Sequence, residues 1–190
     1  MTAKLITAPA APAVSTLDAK ANLRIEADDT ALDGLIEAWV LGITEHAEHL
    51  TGRSFVSQEW RLTLPAFPAC LNDQGAIRMP SSPLIDVTAF KYIDPAGAEQ
   101  TLTGEAYTVD GDYLLPAYGT SWPATRMQAA AVTIEGTFGY GVDDTMVPNG
   151  IRLYILAKLV EQFDPAARLE KDTVQASYID RLLDRFRNYA

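Results

Sequence analysis

Asp29-Thr-Ala-Leu-Asp-Gly-Leu-Ile-Glu-Ala-Trp-Val-Leu-Gly-Ile-Thr-Glu-His-Ala-Glu-His-Leu-Thr-Gly52 is the stretch from which the fold is read. Leu32, Leu35, Ile36, Trp39, Val40, Ile43, Ala47 and Leu50 recur at three- and four-residue steps, the period of an amphipathic helix. At about 100° per residue they fill a stripe about 140° wide, which suits burial against a core. Asp29 is expected to cap the first turn, and Gly52 to end the helix in a left-handed conformation. The polar face carries Asp33, Glu37, Glu45 and Glu48, with no basic residue between them, and Leu41 stands at its centre.

Outward from this helix the pattern changes. Ser15 to Asp18 reads as a capping box opening a short helix to about Leu23. Beyond Gly52, runs rich in β-branched and aromatic residues predict strands over Ser54–Leu64, Ala76–Met79, Leu84–Ile93, Glu99–Leu102, Ala106–Asp110, Tyr113–Leu115 and Ala130–Phe138. The Asp94-Pro-Ala-Gly97 turn predicts a β-hairpin between the third and fourth of these. Pro116 to Arg126 is irregular and rich in aromatics and prolines. A helix opens at Pro148 and runs to Phe163, apolar over more than half its circumference, which asks for burial on two sides. Leu156 and Val160 on it, with Leu41, are candidates for a contact between subunits. A last helix is expected from Val174 to Asn188, with Tyr178, Leu182, Phe186 and Tyr189 as anchors and Arg185 beside them for a partner's groove.

The expected fold class is α+β: a mainly helical body of three to four helices with an antiparallel β element inserted at about 54–138. Residues 1–15 are expected as a flexible arm, 16–163 as the body, and 164–190 as a loop and docking helix.

The chain has 190 residues, one cysteine, 48% hydrophobic residues and a net charge of −10. That charge argues against a surface that grips nucleic acid. Cys70 has no partner for an internal disulfide. No apolar run approaches the roughly 18 residues that span a bilayer, so no membrane association is expected. His46 and His49 lie in Glu-His-Ala-Glu-His, which lacks the order and the third ligand of a zinc site. Gly136-x-x-Gly139-x-Gly141 has the wrong spacing for a dinucleotide loop. Asp143-Asp144 reads as support for a helix start. No catalytic constellation, cofactor site or metal site is expected.

Several segments taken together resemble the head–tail connector (adaptor) proteins of long-tailed bacteriophages and phage-like particles. They are Leu17-Asp-Ala-Lys-Ala-Asn-Leu-Arg24, Asp28-Asp29, Leu32-x-x-Leu-Ile36, Ala47-Glu-x-x-Thr-Gly-Arg53, Trp60-Arg-Leu-Thr-Leu-Pro-Ala-Phe-Pro68, Ile77-Arg-Met-Pro80, Pro83-Leu-Ile-Asp-Val87 and Tyr107-Thr-Val-Asp110. Leu115-Pro-Ala-Tyr-Gly-Thr-Ser-Trp-Pro-Ala-Thr-Arg126, Val132-x-Ile-x-Gly-x-x-Gly-Tyr-Gly141 and Val147-Pro-x-x-Ile151 complete the set. The resemblance spans roughly Leu17 to Leu159. It implies a homo-oligomeric ring of about twelve copies between the portal protein and a stopper or tail-completion protein. Double-stranded DNA would pass transiently through the lumen, in the neck of a particle assembled in the bacterial cytoplasm. Asp33, Glu37, Glu45 and Glu48 would then form a lumen wall that repels phosphate. Another neck component, or a monomeric ligand-binding domain or enzyme, is the alternative that the residues leave open.

Overall fold

A computed structural model of the chain describes residues 1–69, 75–164 and 178–187. Among these, eight strands and three α-helices follow one another in the chain: β1 (Thr2–Thr7), α1 (Thr16–Leu23), α2 (Asp33–Thr51), β2 (Gln58–Leu64), β3 (Ile77–Arg78), β4 (Leu84–Ile93), β5 (Glu99–Thr101), β6 (Tyr107–Asp110), β7 (Tyr113–Pro116), β8 (Val132–Phe138) and α3 (Asn149–Phe163). Short 3-10 turns lie at Asp144–Met146 and Asp184–Phe186, and residues 178–181 are helical. The class is α+β, but sheet holds about as large a share as helix, so "mainly helical" is too narrow a description. The chain divides into two compact units. One comprises 1–8 and 58–139, the other 9–57 and 140–190.

The first unit contains all eight strands. A five-stranded antiparallel sheet has the order β1-β2-β8-β4-β5, and a three-stranded sheet the order β3-β7-β6. Side chains of both sheets make one core: Leu62, Phe90, Val132, Ile134 and Phe138 from the larger, Ile77 and Leu114 from the smaller. On β8 the alternation is strict, with Val132, Ile134, Gly136 and Phe138 inward, as a strand buried on one face requires. Gly136 is needed there, because a Cβ would lie 3.0 Å from the Asp86 carbonyl oxygen.

The N-terminal arm is corrected by this unit. Thr2–Thr7 is an edge strand, paired with β2 from Thr2↔Thr63 to Thr7↔Glu59 with a bulge after Leu5. All six of its residues are exposed. That exposure explains why it carries no inward-facing alternation from which a strand would be read.

The second unit is built on α2. Ser15 caps α1 through a hydrogen bond accepted from the Asp18 amide, as expected. Gly52, at φ 67°, ends α2 in the left-handed region. The start of α2 differs: Asp29 accepts a bond from Ala31 within a turn, and the helix begins at Asp33 with no side-chain cap. The buried face is Ile36, Val40, Thr44, Ala47 and Thr51. The two threonines are hidden because their hydroxyls donate to the carbonyls of Val40 and Ala47. Leu32, Leu35 and Leu50, expected in the buried stripe, are exposed. Ile151, Tyr154, Ile155 and Leu159 of α3 complete this core with Ala13, Val14, Phe55 and Val56.

Candidate interface surfaces

The four acidic residues of α2 separate into two pairs. Asp33 lies 2.9 Å from the Nζ of Lys20, which is 3% exposed and also donates to the Ala27 carbonyl at 2.9 Å. Glu48 accepts the amide of Phe55 at 2.7 Å, just past the helix. Both carboxylates therefore fasten this unit internally. Glu37 and Glu45 are exposed. Glu37 accepts the hydroxyl of Thr16 at 3.1 Å. With Leu41, 51% exposed, they form a row at four-residue steps along one flank of the buried face.

On the other flank, α2 and α3 border a groove of about 440 Å³ lined by Trp39, Gly42, Ile43, His46, Tyr154 and Lys158 among others. His46 is exposed at its rim. Lys158 pairs with Asp180 at 3.1 Å and Glu161 at 3.4 Å, and sits 5.7 Å over the Tyr154 ring. Desolvation draws its pKa down. The hydrogen bond to Asp180 and the charge of Glu161 more than offset that and raise it above 10.5. Trp39 meets Phe163 edge-on at 6.4 Å. Leu156 and Val160 are half-buried, and Leu153 is the exposed apolar residue of α3's middle.

The C-terminal anchors do not all face outward. Phe186 is buried with Ile179 and Leu183 in the chain's own core. Its ring lies 3.0 Å from where a Cβ on Gly150 would stand. Phe186 is thus corrected from partner anchor to core residue. The continuous helix gives way as well: after 181 the chain turns into the 3-10 segment. Arg53 holds that segment by donating from Nε to the Phe186 carbonyl at 2.6 Å. Leu182 is half-buried against the core, while Tyr178 is 66% exposed. Arg181 and Arg185 are exposed, the latter 5.1 Å over the Phe186 ring. Tyr189, residues 174–177 and Cys70 lie outside the described residues.

In the β unit, Tyr118 was not singled out by the sequence, yet it is fully exposed. It occupies a turn closed by the Thr120 amide and hydroxyl, both donating to the Ala117 carbonyl, with Gly119 at φ 75°. Four residues on from Tyr118, Trp122 is stacked on Phe67 at 5.0 Å and donates its Nε1 proton to the Gly75 carbonyl. The turn is therefore anchored while its tyrosine points out.

Among the described residues no group of three or more His, Cys, Asp or Glu could hold a metal ion. None of the described helices is long and apolar enough to cross a membrane. Asp143 accepts the amide and hydroxyl of Thr145, and Asp144 lies 3.7 Å from Arg152, so this pair organises the turn before α3.

No protein-family model and no curated protein matches the chain. Solved structures do. A chain in the virion of the native gene transfer agent particle is 20% identical, with a TM-score of 0.80 over 100% of this chain and 97% of that one. A chain in the neck of the empty gene transfer agent particle, computed with C6 symmetry, gives 0.79 at the same identity and coverage. One in the neck of the native particle, computed with C12 symmetry, gives 0.66 over 98% and 96%. At this identity the likeness is one of fold, and it extends over nearly the whole of both chains.

Proposed function

We propose that the chain is a structural component of the neck of a phage-like particle. More specifically, it is the head–tail adaptor whose copies form a ring between the portal and the tail or its stopper, with DNA threading the lumen. The observation that carries this reading is the likeness, at a TM-score of 0.80 over 100% of the chain, to a chain of a gene transfer agent virion. Necks computed with C6 and C12 symmetry contain two of the similar chains, which supports a ring. The sequence segments quoted above point the same way. The net charge of −10 suits a conduit that DNA must traverse without being held. The role is one of assembly, with no reaction and no cofactor.

The test is to image particles made with this chain carrying a small tag, at a resolution that separates the neck layers. A ring of tag density directly below the portal is the expected result. A layer farther down, against the tail tube, would make the chain a stopper or tail-completion protein. Tag density on the capsid or tail, or none in the particle, would refute a neck role.

A further inference from the structure

Two exposed rows on the helical unit match one another. The row on α2 reads acid, leucine, acid: Glu37, Leu41 and Glu45, spaced by about 6 Å along the axis. The row on the C-terminal segment reads tyrosine, arginine, arginine: Tyr178, Arg181 and Arg185. All six residues are exposed. Among the described residues neither Glu45 nor Arg181 has an ion-pair partner. The segment bearing the arginines is held firmly, by Ile179, Leu183 and Phe186 in the core and by Arg53 on its backbone. The arginine row is thus displayed on a fixed support.

Resting on the ring reading above, we infer that these rows are the two halves of the contact between neighbouring copies. Glu37 and Glu45 of one copy meet Arg181 and Arg185 of the next, with Tyr178 laid against Leu41. A contact joining two different patches is head-to-tail, and repetition about one axis closes it into a ring. The occupant is a second copy because the same chain supplies both charge signs and both apolar partners. Arginine suits this place, since its planar fork can bind a carboxylate through two parallel hydrogen bonds. Glu37 and Glu45 then face a neighbour instead of the DNA channel. Asp33 and Glu48 are already used inside the unit, so α2 leaves no acidic row for the lumen.

The test uses the full chain with Glu45→Lys, with Arg181→Glu, and with both. Each single change is expected to weaken self-association, read by sedimentation over a concentration series, by at least about tenfold. The double swap restores it to within about threefold, and added salt weakens the wild type. Single variants that associate like the wild type, or a double variant as weak as the singles, would overturn the inference. A photoreactive phenylalanine analogue at Leu41 gives a second readout. The expected adduct joins it to residues 178–187 of another copy. An adduct with DNA, with a different protein, or none, sinks the interface. Neck placement with an adduct to DNA refutes the interface alone. The expected adduct in a chain absent from the neck refutes the ring reading and leaves the interface standing.

Discussion

Lys20 shows how one residue can tie a loop to a helix. Its ammonium group is buried and satisfied by Asp33 and the Ala27 carbonyl, so it pins the turn between α1 and α2. Lys20→Met should destabilise the chain by about 1–3 kcal/mol, because the partially covered carboxylate and the carbonyl each lose a donor. An unchanged urea midpoint would show the pairing to be idle. Gly42 argues in the opposite direction. It lies within α2, and a Cβ there would meet nothing within 4 Å. Gly42→Ala should therefore raise stability by roughly 0.5–1 kcal/mol, through the lower backbone entropy of the unfolded chain. A fall in the thermal midpoint would mean that the groove beside it is tighter than described. At this scale the sequence was partly legible. Gly52 and Ser15 announce their caps, since few residue types do that work. Buried Thr44 and Thr51 could not be read, because their hydroxyls are hidden by bonds to carbonyls four residues back.

Among the elements, the C-terminal segment differs most from expectation. Its spacing promised anchors for a partner, but Leu183 and Phe186 belong to the chain's own core. Leu183→Ala should cost about 2–5 kcal/mol. Tyr178→Ala, at an exposed position, should stay within about 0.5 kcal/mol in folding stability. Equal losses in chemical denaturation would contradict this division. Deleting residues 177–190 is accordingly expected to cost the chain its fold. Periodicity gives the stripe of a helix but not what lies under it, which is why one pattern fits both an internal seat and an external one. Strand β1 was illegible for a different reason: an exposed edge strand takes its order from backbone pairing, which leaves no hydrophobic signature.

Over the whole molecule, each compact unit has its own core, one around Leu62, Ile134 and Phe138, the other around Ile36, Ile155 and Leu159. Ile134→Ala should lower hydrogen-exchange protection mainly in the β unit, and Ile155→Ala mainly in the helical one. Uniform loss across all amides in both variants would mean that the units unfold as one. The α+β class and the position of most strands could be anticipated, since hydrophobic alternation marks them. The size of the sheet could not, because its first strand lies fifty residues of chain away from its second.

The interleaving of the units also sets a timetable for synthesis. β1 leaves the ribosome first and must wait for β2, and the sheet is complete only once β8 has emerged. The helical unit starts early, with Ala13 and Val14, yet needs Leu183 and Phe186 to close its core. At about 5–20 residues per second, the stretch from Gly139 to Phe186 takes roughly 2–10 s to make. For that interval a finished β unit is carried on a chain whose helices still lack their last partners. The apolar faces of α1 and α2 are then open to chaperones, or to the same faces on a neighbouring nascent chain.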